Sequence, residues 1–145
     1  MLLDLLPHAR AAATRPAAGG REIWCLVRKA WLVATPEEFV RQGLIAFLQQ
    51  RGYPPTLMQV ERSVGRSRDR LDLLALDREG APFLLAETKA PGFALEPAVR
   101  QLARYNRHWR ASYALATNGR EALCYRLDFS RELLRPATSV PPYPA

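Results

Sequence analysis

The stretch Leu71–Lys89, LDLLALDREGAPFLLAETK, constrains the fold of this chain more than any other. Two short apolar runs are each interrupted by an acid, and Asp77-Arg78-Glu79-Gly80 between them is a turn signal, so the segment reads as a β-hairpin. Residues two apart in a strand share a face, which sets Phe83, Leu85, Glu87 and Lys89 on one side and Leu84, Ala86 and Thr88 on the other. A loop symmetric about Glu79 and Gly80 pairs Arg78 with Ala81 and Asp77 with Pro82, and the continuing ladder sets Asp72 opposite Glu87. Directly opposed Cβ atoms lie about 4.5–5.5 Å apart. At an effective dielectric near 20, two carboxylates at ~5 Å repel by about 3 kcal/mol. A divalent cation reverses that sign, and magnesium binds through one or two carboxylates while keeping water in its other positions. The same residues also admit a solvent-facing hairpin whose acids are separated by a β-bulge.

The flanking segments frame the hairpin. Ile23–Val33 is an apolar run with basic interruptions that suits a strand, and Thr35-Pro36-Glu37-Glu38 then opens a helix with a threonine cap, proline at the first position and acids in the first turn. Val40, Leu44, Phe47 and Leu48 fall on one face of that helix before Gly52 and Pro54-Pro55 end it. Glu37 lies on the same stripe, four residues ahead of Arg41, whereas Glu38 is rotated towards the flank; Glu37 is therefore the better candidate for a buried role, with Glu38 its rival. Leu57–Val64 reads as a strand and leads through a loop carrying Arg66, Arg68 and Arg70 into the hairpin. After Ala90-Pro91-Gly92, a second helix starts at Pro97 and runs to about Trp109, with Ala98, Leu102, Tyr105 and Trp109 as its apolar stripe. Gln101 sits beside that stripe and needs a hydrogen-bonding partner if buried. Arg100, Arg104 and Arg107 form a separate basic face. It and the arginine loop suit phosphate contacts or, equally, solvated surface. Tyr113–Thr117 and Ala122–Leu127 read as strands joined through Asn118-Gly119.

With 145 residues the chain fits one domain and leaves no room for a motor. The expected organisation is a poorly ordered or loosely docked lead-in over residues 1–22, a folded domain over 23–130, and an extended Pro-rich tail over 131–145. A net charge of +7, from 21 Lys and Arg against 14 Asp and Glu, suits a polyanionic partner. Cys25 and Cys124 lack metal-ligand spacing and read as reduced, partly buried thiols of a cytoplasmic protein, a disulfide between them remaining open. The amino terminus has no basic residue ahead of its apolar ones, and Asp4 and Pro7 interrupt the run, so export is not expected. No apolar stretch approaches the length of a membrane span.

In order, the elements read helix, strand, strand, strand, helix, strand, strand. With Thr35-Pro-Glu-Glu-Phe-Val-Arg-Gln42, Val60-Glu61, Leu71-Asp72, Ala86-Glu87-Thr-Lys-Ala-Pro91, Gln101-Leu-Ala-Arg-Tyr105 and Thr117-Asn-Gly119, this order resembles the PD-(D/E)XK nuclease superfamily, and specifically the N-terminal nuclease domain of type I restriction enzyme R subunits in a stand-alone form. The resemblance implies an α/β fold, a restriction-endonuclease-like αβββαβ core with a central mixed sheet flanked by helices. It implies phosphodiester hydrolysis in DNA with Mg2+, or Mn2+ as a substitute. In that scheme Asp72 and Glu87 ligate the metal with the carbonyl of Thr88, and Lys89 orients or activates the attacking water. Glu37 matches the acid of the first helix, while Gln101 and Tyr105 match a motif held beside the substrate. The usual proline before the first hairpin acid is replaced by Leu71. The family usually delivers the domain attached to a DNA translocase, so the resemblance implies either a separate translocase, helicase or specificity partner, or a domain that acts alone in defence or DNA processing, or one that has been reused. The alternative is a non-catalytic nucleic-acid-binding or assembly module that keeps the nuclease fold.

Overall fold

The computed structural model describes residues 1–131 and 133–145. Among these, the chain forms three α-helices, α1 (Leu6–Arg10), α2 (Pro36–Gln50) and α3 (Glu96–Trp109), with a 3-10 turn at Pro55–Leu57. The strands are β1 (Thr14–Ala17), β2 (Gly20–Cys25), β3 (Ala30–Val33), β4 (Met58–Ser63), β5 (Arg70–Leu76), β6 (Pro82–Thr88), β7 (Tyr113–Thr117), β8 (Ala122–Asp128) and β9 (Leu133–Ala137). They form a three-stranded sheet, β1-β2-β3, and a six-stranded sheet in the order β4-β5-β6-β7-β8-β9. Among the described residues only β6 and β7 pair in parallel, and the pair is spanned by α3, the crossover that parallel neighbours require. The mixed sheet flanked by helices is the α/β core expected from the sequence.

The two long helices lie on opposite faces of the large sheet. Thr35 caps α2 by accepting from the Glu38 amide at 3.0 Å, with Pro36 at the first helical position. The helix then buries Val40, Leu44, Ile45 and Leu48 against Leu73, Ala75, Leu84 and Ala86. On the other face α3 buries Ala98, Leu102 and Tyr105 against Leu71, Leu74, Leu85 and Ala114. Each fully buried leucine here contributes roughly 1.5–3 kcal/mol of transfer free energy.

The hairpin keeps the expected register at its inner end and departs from it near the turn. Leu73 pairs with Ala86 and Leu74 with Leu85, but Leu76 faces Pro82, and Phe83 is the extra residue of a bulge. The Asp77 amide bonds to Ala81 and its side chain caps the turn, accepting from the Glu79 and Ala81 amides, so the expected pairing of Asp77 with Pro82 does not form. The bulge also carries Phe83 onto the α2 side with Leu84, away from Leu85, which corrects the face assigned to it from alternation alone. Because the extra residue is absorbed beyond Ala75, the register between Asp72 and Glu87 is preserved.

Both ends of the chain are built into the core. Residues 1–22 are not a loosely docked lead-in: Leu5 is fully buried, the Leu3 and Leu5 amides bond to Arg120 and Gly119, and the terminal amine donates to the Ala122 carbonyl at 2.9 Å. Gly43 makes room for this segment, since a Cβ there would lie 2.9 Å from the Leu5 carbonyl oxygen. The run Ile23–Val33 is two antiparallel strands, β2 and β3, turned at Cys25–Lys29, where Lys29 takes a left-handed conformation. At the other end, residues expected as an extended tail include β9, then Val140 in the core and Pro141 accepting from the Tyr53 hydroxyl at 2.9 Å. Cys25 and Cys124 are free and fully rather than partly buried. No helix of the described residues is long and apolar enough to cross a membrane.

Candidate active site

The last pairing of β5 with β6 on this side is Leu73 with Ala86, and beyond it side chains take over from the backbone ladder. The Asp72 amide donates to Glu87 Oε1 at 3.2 Å, and the Thr88 amide and hydroxyl donate to Asp72 Oδ2 at 2.8 and 3.1 Å. Asp72 therefore stands across from Glu87 as the hairpin register requires. Glu87 is only 3% exposed. Burial first, then the charge of Asp72, push its carboxyl up to about 9. The acid keeps its proton near neutrality because burial and the charge of Asp72 outweigh the opposing charge of Lys89.

Lys89 follows at the exit of β6, half-buried, with its amide fixed to the Thr117 carbonyl at 2.9 Å. Its charge acts on both Glu87 and Glu37. Glu37, in the first turn of α2, is half-buried, and its carboxyl is raised by burial and by Asp72. The structure thus brings Glu37, Asp72, Glu87 and Lys89 into one electrostatic neighbourhood. The expectation that Glu37 is the more buried of the helix acids is corrected: Glu38 is 8% exposed, pairs with Arg41 and accepts from Gln42 Nε2 at 3.1 Å. Those bonds commit Glu38 to the helix, and Glu37 remains the acid facing the hairpin.

Gln101 and Tyr105 meet each other, the Gln101 amide donating to the Tyr105 hydroxyl, and neither bonds to Asp72, Glu87 or Lys89. Tyr105 is buried among the α3 contacts with the sheet, which supplies the partner a half-buried Gln101 needs. Arg66, Arg68, Arg70, Arg100, Arg104 and Arg107 are all exposed. The arginine loop and α3 adjoin, because His108 flanks Gly65 across a groove of about 480 Å³ that Glu61, Arg62 and Ser63 also line. Within the chain, Arg70 donates to Ser63 Oγ at 3.0 Å and Arg104 stacks 5.4 Å from the Tyr105 ring centroid.

Three residues of this region are given no role by the sequence reading. Arg41 of α2 is 6% exposed and lies among three carboxylates, 3.3 Å from Glu38, 3.2 Å from Glu61 and 3.4 Å from Asp72. Arg28, from the turn between β2 and β3, holds the other oxygen of Glu61. Glu61 sits between Val60 and Arg62, whose partners Leu73 and Leu71 flank Asp72, and its backbone is left-handed at φ 51°. For a side-chain-bearing residue that conformation costs about 1–2 kcal/mol, and such strain concentrates at functional sites. A charged residue on the apolar stripe of α2 was the available signal for Arg41. Nothing in Val-Glu-Arg-Ser announces the strand's twist at Glu61.

The carboxylate oxygens of Asp72 and Glu87 are hard donors of the kind magnesium takes. No group of three Asp, Glu, His or Cys side chains converges on one point among the described residues. Two carboxylates with water completing the coordination still fit magnesium, and the excess of acid at Glu87 is what a cation there would relieve.

A helix, three antiparallel strands carrying opposed acids, a crossover helix and a parallel strand define the restriction-endonuclease-like class of α/β folds. The family model of the type I restriction enzyme R protein N terminus matches residues 36–141, and the chain belongs to that family. No curated protein matches it.

Proposed function

We propose that this chain is a divalent-metal-dependent DNA endonuclease domain, acting in restriction, defence or DNA processing. The observation that carries the reading is the opposed pair Asp72 and Glu87 with Lys89 one residue beyond Thr88, held by hydrogen bonds that replace the strand ladder. Asp72 and Glu87, with the Thr88 carbonyl, would hold Mg2+ or Mn2+, which when bound lowers the pKa of its water and offsets charge on the phosphate. The chain's own work is placement. Thr88 fixes the rotamer of Asp72, the Asp72 amide fixes Glu87, and Glu37 adds a third acid beside them. Lys89 orients the attacking water and, as a cation beside two acids, steadies negative charge on the scissile phosphate. Gln101 and Tyr105, tied together on α3, serve as a rigid pair beside the substrate. The arginines of the 66–70 loop and of α3 contact phosphates without reading sequence.

Incubation with supercoiled, linear and single-stranded DNA plus Mg2+ or Mn2+, with Lys89→Ala as control, tests the assignment. Metal-dependent cleavage that disappears in the variant is expected. No cleavage under any condition, or cleavage that survives the substitution, refutes it. Family membership supports extending the proposal to a separate translocase or specificity subunit as partner.

The second reading is a nucleic-acid-binding or assembly module that retains the fold without cutting. It draws on Arg41, whose guanidinium already sits beside Asp72. It expects salt-sensitive DNA binding indifferent to divalent metal, and no calorimetric Mg2+ site that Asp72→Ala removes.

A further inference from the structure

We propose that Arg41 is the resident counter-ion of Asp72 in the metal-free protein, and that a divalent cation binding at the hairpin hands Arg41 over from Asp72 to Glu61. The inference rests on the hairpin being a cation site, as above, and adds to it a built-in competitor and the residue that receives it.

The geometry points this way at each link. Arg41 spans its partners with different nitrogens, Nη2 to Asp72 Oδ1 at 3.4 Å and Nη1 to Glu61 Oε1 at 3.2 Å and to Glu38 Oε1 at 3.3 Å. The Asp72 contact uses Nη2 alone while Nη1 serves both other carboxylates, so it can be given up without breaking the other two. Asp72 does not depend on it for orientation, because the Thr88 amide and hydroxyl already hold its other oxygen. The Arg41 Nε is buried without a partner, so the guanidinium is not locked by a full set of bonds and has an unused donor to reorganise. Glu61 already accepts from Arg41 Nη1 and remains its partner when Asp72 is released. Its backbone is left-handed, and Arg28 grips the oxygen that Arg41 does not use.

Arg28 belongs to the turn between β2 and β3, which precedes the residues matched by the family model. The N-terminal sheet therefore contributes to the site through this contact and through the Leu26 amide, which donates to Gln42 Oε1 at 3.2 Å.

A cation entering beside Asp72 meets the positive charge of Arg41. Competition and positioning make opposite predictions. If Arg41 mainly positions Asp72, removing it loosens the ligand and weakens metal binding. If it mainly competes, removing it tightens metal binding, because one fixed like charge leaves and Asp72 stays held by Thr88.

The experiment is calorimetric titration of Mg2+, and separately Mn2+, into the metal-free full chain as wild type, Arg41→Met, Glu61→Gln and Asp72→Ala, each first checked for cooperative urea unfolding. Arg41→Met is expected to bind Mg2+ tighter by on the order of tenfold, the size of one close charge pair only partly screened. Glu61→Gln is expected to bind it several-fold weaker, because Arg41 loses its receiving carboxylate and stays with Asp72. If Arg41→Met does not fold, Glu61→Gln alone decides, since its surface-accessible carboxylate can be made neutral with little change of shape. Unchanged or weaker binding in Arg41→Met, or unchanged or tighter binding in Glu61→Gln, overturns the handover while leaving the metal site standing. Absence in the wild type of any site that Asp72→Ala removes overturns the metal site and the handover with it.

Discussion

Asp72 and Glu87 meet main chain to side chain: the Asp72 amide donates to Glu87 Oε1 at 3.2 Å where the strand ladder stops. The arrangement keeps an acid with a raised pKa buried next to another acid, and it ties the cost of that burial to pH. Glu87 holds a proton up to about pH 9 in the native chain, against an ordinary value of 4.5. Between those values the native state binds more protons than the unfolded one, so the stability given by the protonated carboxyl is complete below about pH 4.5 and is lost as pH rises towards 9.

Glu87→Gln keeps the shape and the donor of the protonated acid without the titration. In the absence of divalent cations, the variant should match the wild type at pH 5 and exceed it at pH 8, by on the order of a few kcal/mol. Urea unfolding of both proteins at the two pH values checks this, and the difference cancels every other titrating group. Parallel pH profiles would show that Glu87 ionises normally.

Divalent metal should oppose that dependence. A ligand that binds the native state stabilises it in proportion to the logarithm of its concentration over Kd, but the cation must expel the Glu87 proton, which costs more at pH 6 than at pH 8. Thermal melts with and without Mg2+ should therefore show a larger gain at pH 8 than at pH 6, and Asp72→Ala should erase both gains. An equal gain at the two pH values would separate metal binding from Glu87.

A structural element unrelated to the hairpin offers an independent check of the fold. Asn106, 2% exposed, clamps Ala111 with both ends of its amide, accepting from the Ala111 amide at 2.7 Å and donating to its carbonyl at 3.0 Å. The clamp closes the end of α3, where Arg110 turns left-handed, and aims the chain into β7. Asn106→Ala leaves both buried main-chain groups unpaired and should lower stability by about 2–3 kcal/mol, read as a lower urea midpoint at unchanged m-value.

The elements that position the site were legible because they rest on local rules. Thr35-Pro36 capped α2, Tyr113–Thr117 formed the strand expected, and alternation set Asp72 across from Glu87 even though a bulge at Phe83 intervened nearer the turn. The chain ends were misjudged because their order comes from distant contacts, Leu5 under α2 and Val140 against Arg51 and the core, which no window of Ala, Pro and Arg can announce. Gly119 shows the same limit within a correctly read turn: it takes φ 88° and would place a Cβ 3.1 Å from Val40 Cγ2, so the loop is fixed by α2 as much as by Asn-Gly chemistry. The Arg41 network escaped for a related reason. It joins residues from α2, β4, β5 and the β2–β3 turn, and its key conformation at Glu61 is a backbone angle without a sequence signature.

The exposed arginines give the last expectation, and it separates DNA contact from solvated surface. Each duplex phosphate that the protein no longer neutralises should reduce the slope of log K against log salt by about 0.9. Arg70 and Arg104 are engaged within the chain, at Ser63 and Tyr105, so Arg66, Arg68, Arg100 and Arg107 should carry most of the effect. Alanine at Arg66 and Arg68 together, and at Arg100 and Arg107 together, should each flatten the slope by roughly 1–2 and weaken binding alike for unrelated DNA sequences. Fluorescence anisotropy over a salt series measures both quantities. Because these side chains stand on the surface, away from the Asp72 and Glu87 carboxylates, Mg2+ affinity should stay within about twofold of wild type, well under the tenfold that one close charge pair supplies. A flattened slope with unchanged metal affinity assigns the face to DNA; an unchanged slope returns it to solvent.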